Sequence, residues 1–258
     1  MRKIIFAALV TSMGASVQAQ TLHGASQFND DHAFTKAMVK FEELMKKYSG
    51  GKSVNFVLHK NSELGLEKQY FEYMAQGKAV DYAIVSPAHM STFSKAAPFI
   101  DALFLFRDLA HWNKVLDADI LKPVADEIAQ KADVMLIGYA GGGTRNIFVN
   151  KPVKNLAEIK GLKVRVQGAP IWSKTFKKLD KNLQAAVLKA GKEAGAYGRQ
   201  IESSEDEQKL VKLEKEGKLK RVPFSDRAQM KKLVDPVMAD YAKEIGAEQI
   251  LAKINGIK

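Results

Sequence analysis

The 258-residue sequence contains no cysteine. That absence excludes disulfides, thiolate metal sites and a lipid anchor attached at a processing-site cysteine. Histidine is scarce. None of His23, His32, His59, His89 and His111 is spaced four residues from another or set in an H-E-x-x-H motif, so no zinc centre is expected. No G-x-S-x-G elbow is present, and Ser86-Pro87 reads as a loop start rather than a nucleophile turn. Neither metal nor cofactor nor enzymatic activity is therefore expected. Membrane-length apolar runs are also missing, since the N-terminal run over residues 4–10 is too short to span a bilayer.

What is present suits an exported globular protein. Apolar residues make up 46%, enough to bury a sizeable core. Arg2 and Lys3 precede the 4–10 run, and Val17-Gln18-Ala19 ends in a small-x-small pattern. Residues 1–19 read as a cleaved secretory signal, and the periplasm is the expected location. The formal net charge is +11, and removing Arg2 and Lys3 lowers it by two. Lysines are interleaved with acids, as in KLVKLEKEGKLKR, and no aromatic-and-basic motif accompanies them. Nucleic acid is not expected as a partner. Solvated helix faces account for most of the charge, and a weak field drawing in organic anions is compatible with it.

Periodicity gives the order of elements. A strand is expected over 21–28, with Asn29-Asp30-Asp31 capping a helix over 33–48. Strands over 53–60 and 80–87 flank a helix over 66–76 that Gly77 closes. This alternation predicts a sheet covered by helices. Short helices follow at about 110–116 and 120–131, then a buried strand over 134–140 and extended pieces over 145–150 and 162–167. A single helical turn is expected between the last two. Beyond Lys181 the pattern is helical: about 182–213 with a break near 195–198, a short strand within 217–225, and a helix from an Asp226 cap to 245, interrupted at Asp235-Pro236. A last short helix ends the chain.

The stretch GYAGGGTR has glycines spaced as in a phosphate-binding loop. However, Thr144 stands where the lysine belongs and Arg145 where the magnesium-binding hydroxyl belongs, so that reading fails. Either the glycines form a plain turn, or they let backbone pass close to a ligand that Arg145 faces. Arg165 lies between Val164 and Val166 in an apolar strand. Such an arginine needs a carboxylate for its fork, from the protein or from a ligand.

Several stretches together resemble the DctP-type periplasmic solute-binding proteins of tripartite ATP-independent periplasmic (TRAP) transporters. They are DDHAFTKAMVKFEELMKK, NSELGLEKQYFEYMAQGKAVDYAIVSP, FIDALFLFRDLAHWNKV and GTRNIFVNKPVKNLAEIKGLKVRV. The resemblance implies an α/β fold of two lobes, the type II-like periplasmic-binding-protein architecture, closing over a small organic acid. It implies that Arg165 holds the ligand carboxylate and Arg145 assists. On the first lobe it implies contacts at Gln27 and Phe28, at Glu67 and at Ser86. Trp172 lines the pocket or fills the core. The implied partners are the organic acid and the permease subunits of a TRAP transporter, and the family is generally monomeric. The division expected is signal over 1–19, mainly first lobe over 20–130, part of the second lobe over 131–173 and helices packing across the lobes over 174–258.

One departure matters. APIWS meets KTFKKLDKNLQAAVLKAG directly, so several dozen family residues are missing near 173–174 and the second lobe is shortened. An alternative reading follows: a non-binding remnant acting at most as a periplasmic interaction protein.

Overall fold

The structure is a computed structural model that describes residues 20–50, 54–102, 104–141, 152–159 and 181–257. Strand β1 is Gln20–Ala25, helix α1 is Ala33–Tyr48, β2 is Val54–His59, α2 is Glu67–Ala75 and β3 is Tyr82–Ala83. The sheet has the order β2-β1-β3, and both pairings are parallel. Parallel neighbours require crossovers, which α1 and α2 provide. Both strands at the sheet's C-terminal edge are shorter than expected: β1 stops at Ala25 and β3 keeps two of eight residues.

The sheet is packed on both faces. Leu22 and Ala25 lie three apart on β1, hence on opposite faces, and they belong to different buried clusters. Leu22 joins Met38, Phe41, Leu44 and Met45 of α1. Gly24 is required here, because a Cβ would lie 2.6 Å from Cε2 of the Tyr82 ring. The Tyr82 hydroxyl then donates to Glu42 Oε1 at 2.7 Å. Ala25 joins the larger cluster, which includes Tyr70 and Phe71 of α2 and Phe99. The same cluster draws in α3 (Leu109–Asp117), α4 (Lys122–Ala132), α7 (Arg227–Glu244) and α8 (Glu248–Gly256). Buried His111 fixes α8: its Nδ1 accepts from Arg107 N, so its Nε2 donates to Ile254 O at 2.8 Å.

Helix α5 (Leu156–Ile159) is the expected single turn, and α6 (Lys181–Lys215) is the longest element. Helix α6 runs antiparallel to α1. Lys36 pairs with Glu205 at 2.5 Å, and the Tyr48 hydroxyl donates to Glu193 at 2.7 Å. No break interrupts α6 near its glycines, contrary to expectation. Residues 134–140 also depart from expectation, since no strand ladder includes them. They lie instead against the glycines of α6. A Cβ on Gly191 would sit 2.5 Å from Ile137 O, and one on Gly195 would sit 2.6 Å from Tyr139 O. The glycines are therefore a seam that lets backbone lie on backbone. Arg199 completes it: its guanidinium donates to Asn113 Oδ1 at 2.8 Å and to Tyr139 O. Burial lowers the pKa of this arginine, which has no carboxylate bonded to it among the described residues.

Other differences are local. His32, not Asn29–Asp31, caps α1, its Nδ1 accepting from Phe34 N at 3.1 Å. The Asn29 side-chain Oδ1 is spent on a turn, accepting from Asp31 N. Asp226 precedes α7 without a side-chain cap bond, and α7 continues through Pro236. No strand forms within 217–225. Leu233 and Val237, four apart on α7, are 61% and 64% exposed. The expected extended pieces over 145–150 and 162–167 lie outside the described residues.

A methyl group on the α6 seam has no room. Gly195→Ala is expected to lower unfolding free energy by about 1–3 kcal/mol, despite alanine's higher helix propensity. Urea denaturation followed by far-ultraviolet dichroism checks this, and an unchanged midpoint would disprove the seam.

Candidate functional site

Four of the seven residues expected at the site are described: Gln27, Phe28, Glu67 and Ser86. Arg145, Arg165 and Trp172 lie outside the described residues. The four come together at the carboxyl edge of the sheet. Gln27 and Phe28 follow β1, Ser86 follows β3, and Glu67 opens the helix after β2. In open parallel sheets this edge is where ligands lie.

Glu67 organises the group. It is 2% exposed, and both of its carboxylate oxygens are engaged. Gln27 Nε2 donates to Oε1 at 2.8 Å, and Ser86 N donates to Oε2 at 2.6 Å. His89 Nε2 stands 3.8 Å from Oε2, the distance of an ion pair when the ring is protonated. As the first residue of α2, the carboxylate also faces the positive end of a helix. One side chain thus ties together the ends of β1, β3 and α2. The expectation of a direct ligand contact at Glu67 meets a carboxylate already occupied by protein donors.

The loop after β2 holds the end of β1. Asn61 N donates to Phe28 O at 3.0 Å, and Ser62 Oγ donates to Gln27 O at 3.2 Å. Asn61 and Ser62 both have left-handed backbone, with φ of 53° and 62°. Buried Ser26 and Thr35 share a hydroxyl hydrogen bond of 2.9 Å, and Phe28 N donates to Ser26 Oγ at 3.2 Å. The Phe28 ring lies flat on His32, with centroids 3.6 Å apart and planes 5° apart, and meets Phe34 edge-on. Sequence reading missed His32 and His89. The capping position of His32 was its only signal; nothing local marks His89.

Among the described residues no group of three or more acidic or histidine side chains could hold a metal ion. No described helix is long and apolar enough to cross a membrane.

The family profile of DctP, described as bacterial extracellular solute-binding protein, family 7, matches residues 24–179. The chain belongs to that family. A solute-binding protein of Sulfitobacter sp. strain NAS-14.1 is 38% identical over 315 residues, covering 96% of this chain and 95% of its own. A chain of 258 residues cannot fill such an alignment, so several dozen positions of that relative have no counterpart here. The 2,3-diketo-L-gulonate-binding periplasmic protein YiaO of Escherichia coli is 27% identical over 185 residues, 69% of this chain and 55% of YiaO. A crystal structure of a TRAP periplasmic solute-binding protein from Sulfitobacter sp. NAS-14.1 with bound α-D-taluronate is 37% identical. It superimposes with a TM-score of 0.86 over 92% of this chain and 98% of that one. The family member described here therefore has the family's two-lobe α/β architecture in a shortened chain.

His32 carries a pH dependence. Burial, reinforced by the charge of Lys209, lowers its pKa below the ordinary 6.5. The unfolded chain takes up a proton near pH 6.5 that the folded His32 resists, so its contribution to stability is present above that pH and lost as pH falls. His32→Asn keeps an acceptor for Phe34 N. Urea midpoints at pH 7.5 and 5.5 should fall less steeply with acid in this variant than in the parent. Equal slopes would remove His32 from the pH response.

Proposed function

We propose that this chain captures a small organic acid of the sugar-acid class outside the cytoplasm and delivers it to a TRAP-type membrane permease. The observation that carries this reading is the 37% identical Sulfitobacter protein, whose crystal structure holds α-D-taluronate. The name of YiaO, a binder of 2,3-diketo-L-gulonate, supports the same class. The prearranged Gln27–Glu67–Ser86 group at the sheet edge supports it from within this chain.

In this reading Arg165 holds the ligand carboxylate by a bidentate pair, which suits arginine better than lysine. Arg145 assists, Trp172 lines the pocket, and the Phe28 ring offers a flat apolar face. Residues 1–19 are removed on export to the periplasm. Residues 20–130 build mainly the first lobe, 131–173 contribute to the second, and the helices over 174–258 pack across both. The chain performs no reaction and works as a monomer. Ligand favours the closed arrangement of the lobes, and closure forms the surface that the permease reads.

The missing positions favour a second reading, a non-binding remnant. A thermal melt of the mature chain against mono- and dicarboxylic sugar acids separates the two. Capture predicts a cooperative transition that rises with one acid, since ligand selective for the folded state stabilises it. Arg165→Ala should then lose about 100-fold or more in affinity by calorimetry. A transition that no acid moves supports the remnant instead, and unchanged affinity in the variant takes Arg165 out of the site.

A further inference from the structure

We infer that Glu67 is a positioning residue that makes the site select monocarboxylic acids bearing a distal hydroxyl over dicarboxylic ones. The inference rests on the carboxylate capture proposed above. Glu67 offers nothing to a ligand directly, because it is 2% exposed and both oxygens are bonded. Its effect passes through Gln27. A carboxylate is an acceptor only, so the end of the Gln27 carboxamide that faces it must be the NH2 group. That assignment fixes the opposite end. Gln27 is half-buried, and its Oε1 receives no hydrogen bond from any described residue. It is left as an oriented acceptor just beyond β1, on the carboxyl edge of the sheet.

An acceptor there pairs with a hydroxyl, which donates. It does not pair with a second carboxylate, which also only accepts. Behind it lies the charge of Glu67, in surroundings where repulsion between anions is poorly screened. A glutamine without such a partner could turn its amide over and serve either ligand. Here Glu67 removes that freedom, and the Ser86 N–H on its other oxygen keeps the carboxylate from following a turn of the amide.

The test compares a hexuronate with the hexarate of the same configuration, which differs by a second carboxylate at the far end. Calorimetry on the mature chain should give the hexuronate an advantage of about tenfold or more, the scale of one well-made hydrogen bond. Glu67→Gln keeps the side chain's size and can still accept from Ser86 N. Its own NH2 then faces Gln27, which must turn its oxygen inward and its donors outward. The preference should shrink about tenfold, with hexarate affinity rising in absolute terms. Gln27→Leu does not depend on that buried exchange, and should lower hexuronate affinity about tenfold and so narrow the preference.

Several results would overturn the inference. The parent chain could bind both acids equally, which spares carboxylate capture and removes the selectivity. Glu67→Gln could lower both affinities in proportion, as loss of a merely structural carboxylate would. A parent chain that binds neither acid removes the proposed capture and the inference with it.

Discussion

A carboxylate taken out of water must find donors, and Glu67 finds them on two different elements. Its partners come from the residues after β1 and β3, while its own backbone starts α2. The two strand ends and the helix start are held in register by one buried group. Breaking one partner of such a group is costlier than the bond alone, because a buried charge is left unmatched. The short strands make this more important. With only two residues of β3 paired to β1, backbone ladders cannot fix the sheet edge unaided. Side-chain bonds to Glu67 and the grip of Asn61 and Ser62 on residues 27–28 take over that task.

A second arrangement holds residues 134–140. Residues 134–140 are apolar and bear every sign of a buried strand, yet the described sheet gives them no partner. Backbone groups removed from water need hydrogen bonds from somewhere. The guanidinium of Arg199 donates to Tyr139 O, and the glycines of α6 let the segment lie close to the helix. A side chain and a helix face here do part of what a neighbouring strand does elsewhere.

Much of the framework was legible in the sequence because its cause is local. The apolar stripe of α1, the glycine after α2 and the alternation of β2 each specify their element within a few residues, and the bounds of α1 are those expected. Misreadings fell where distant contacts decide. The glycines at 195 and 198 look like helix breakers until the segment lying against α6 is known. Residues 134–140 look like a strand because burial and β-propensity say nothing about which partner is available. At the candidate site, sequence could name Gln27, Glu67 and Ser86 but not their roles. That Glu67 faces inward follows from donors separated by 40 and 19 residues, which no local pattern records. His32 was overlooked for a smaller reason: Asn29, Asp30 and Asp31 before it are better capping residues by type, and the turn that ties Asn29 to Asp31 N draws the asparagine away.

The larger core begins at Ala25 and is not complete until Ile254, whose carbonyl receives the His111 bond. Contacts so distant in sequence form against a large loop-closure entropy. The larger core is therefore built from residues spread over most of the described chain. The same closure makes the C-terminal helix a poor place for truncation, since removing it would take the Ile254 carbonyl from buried His111.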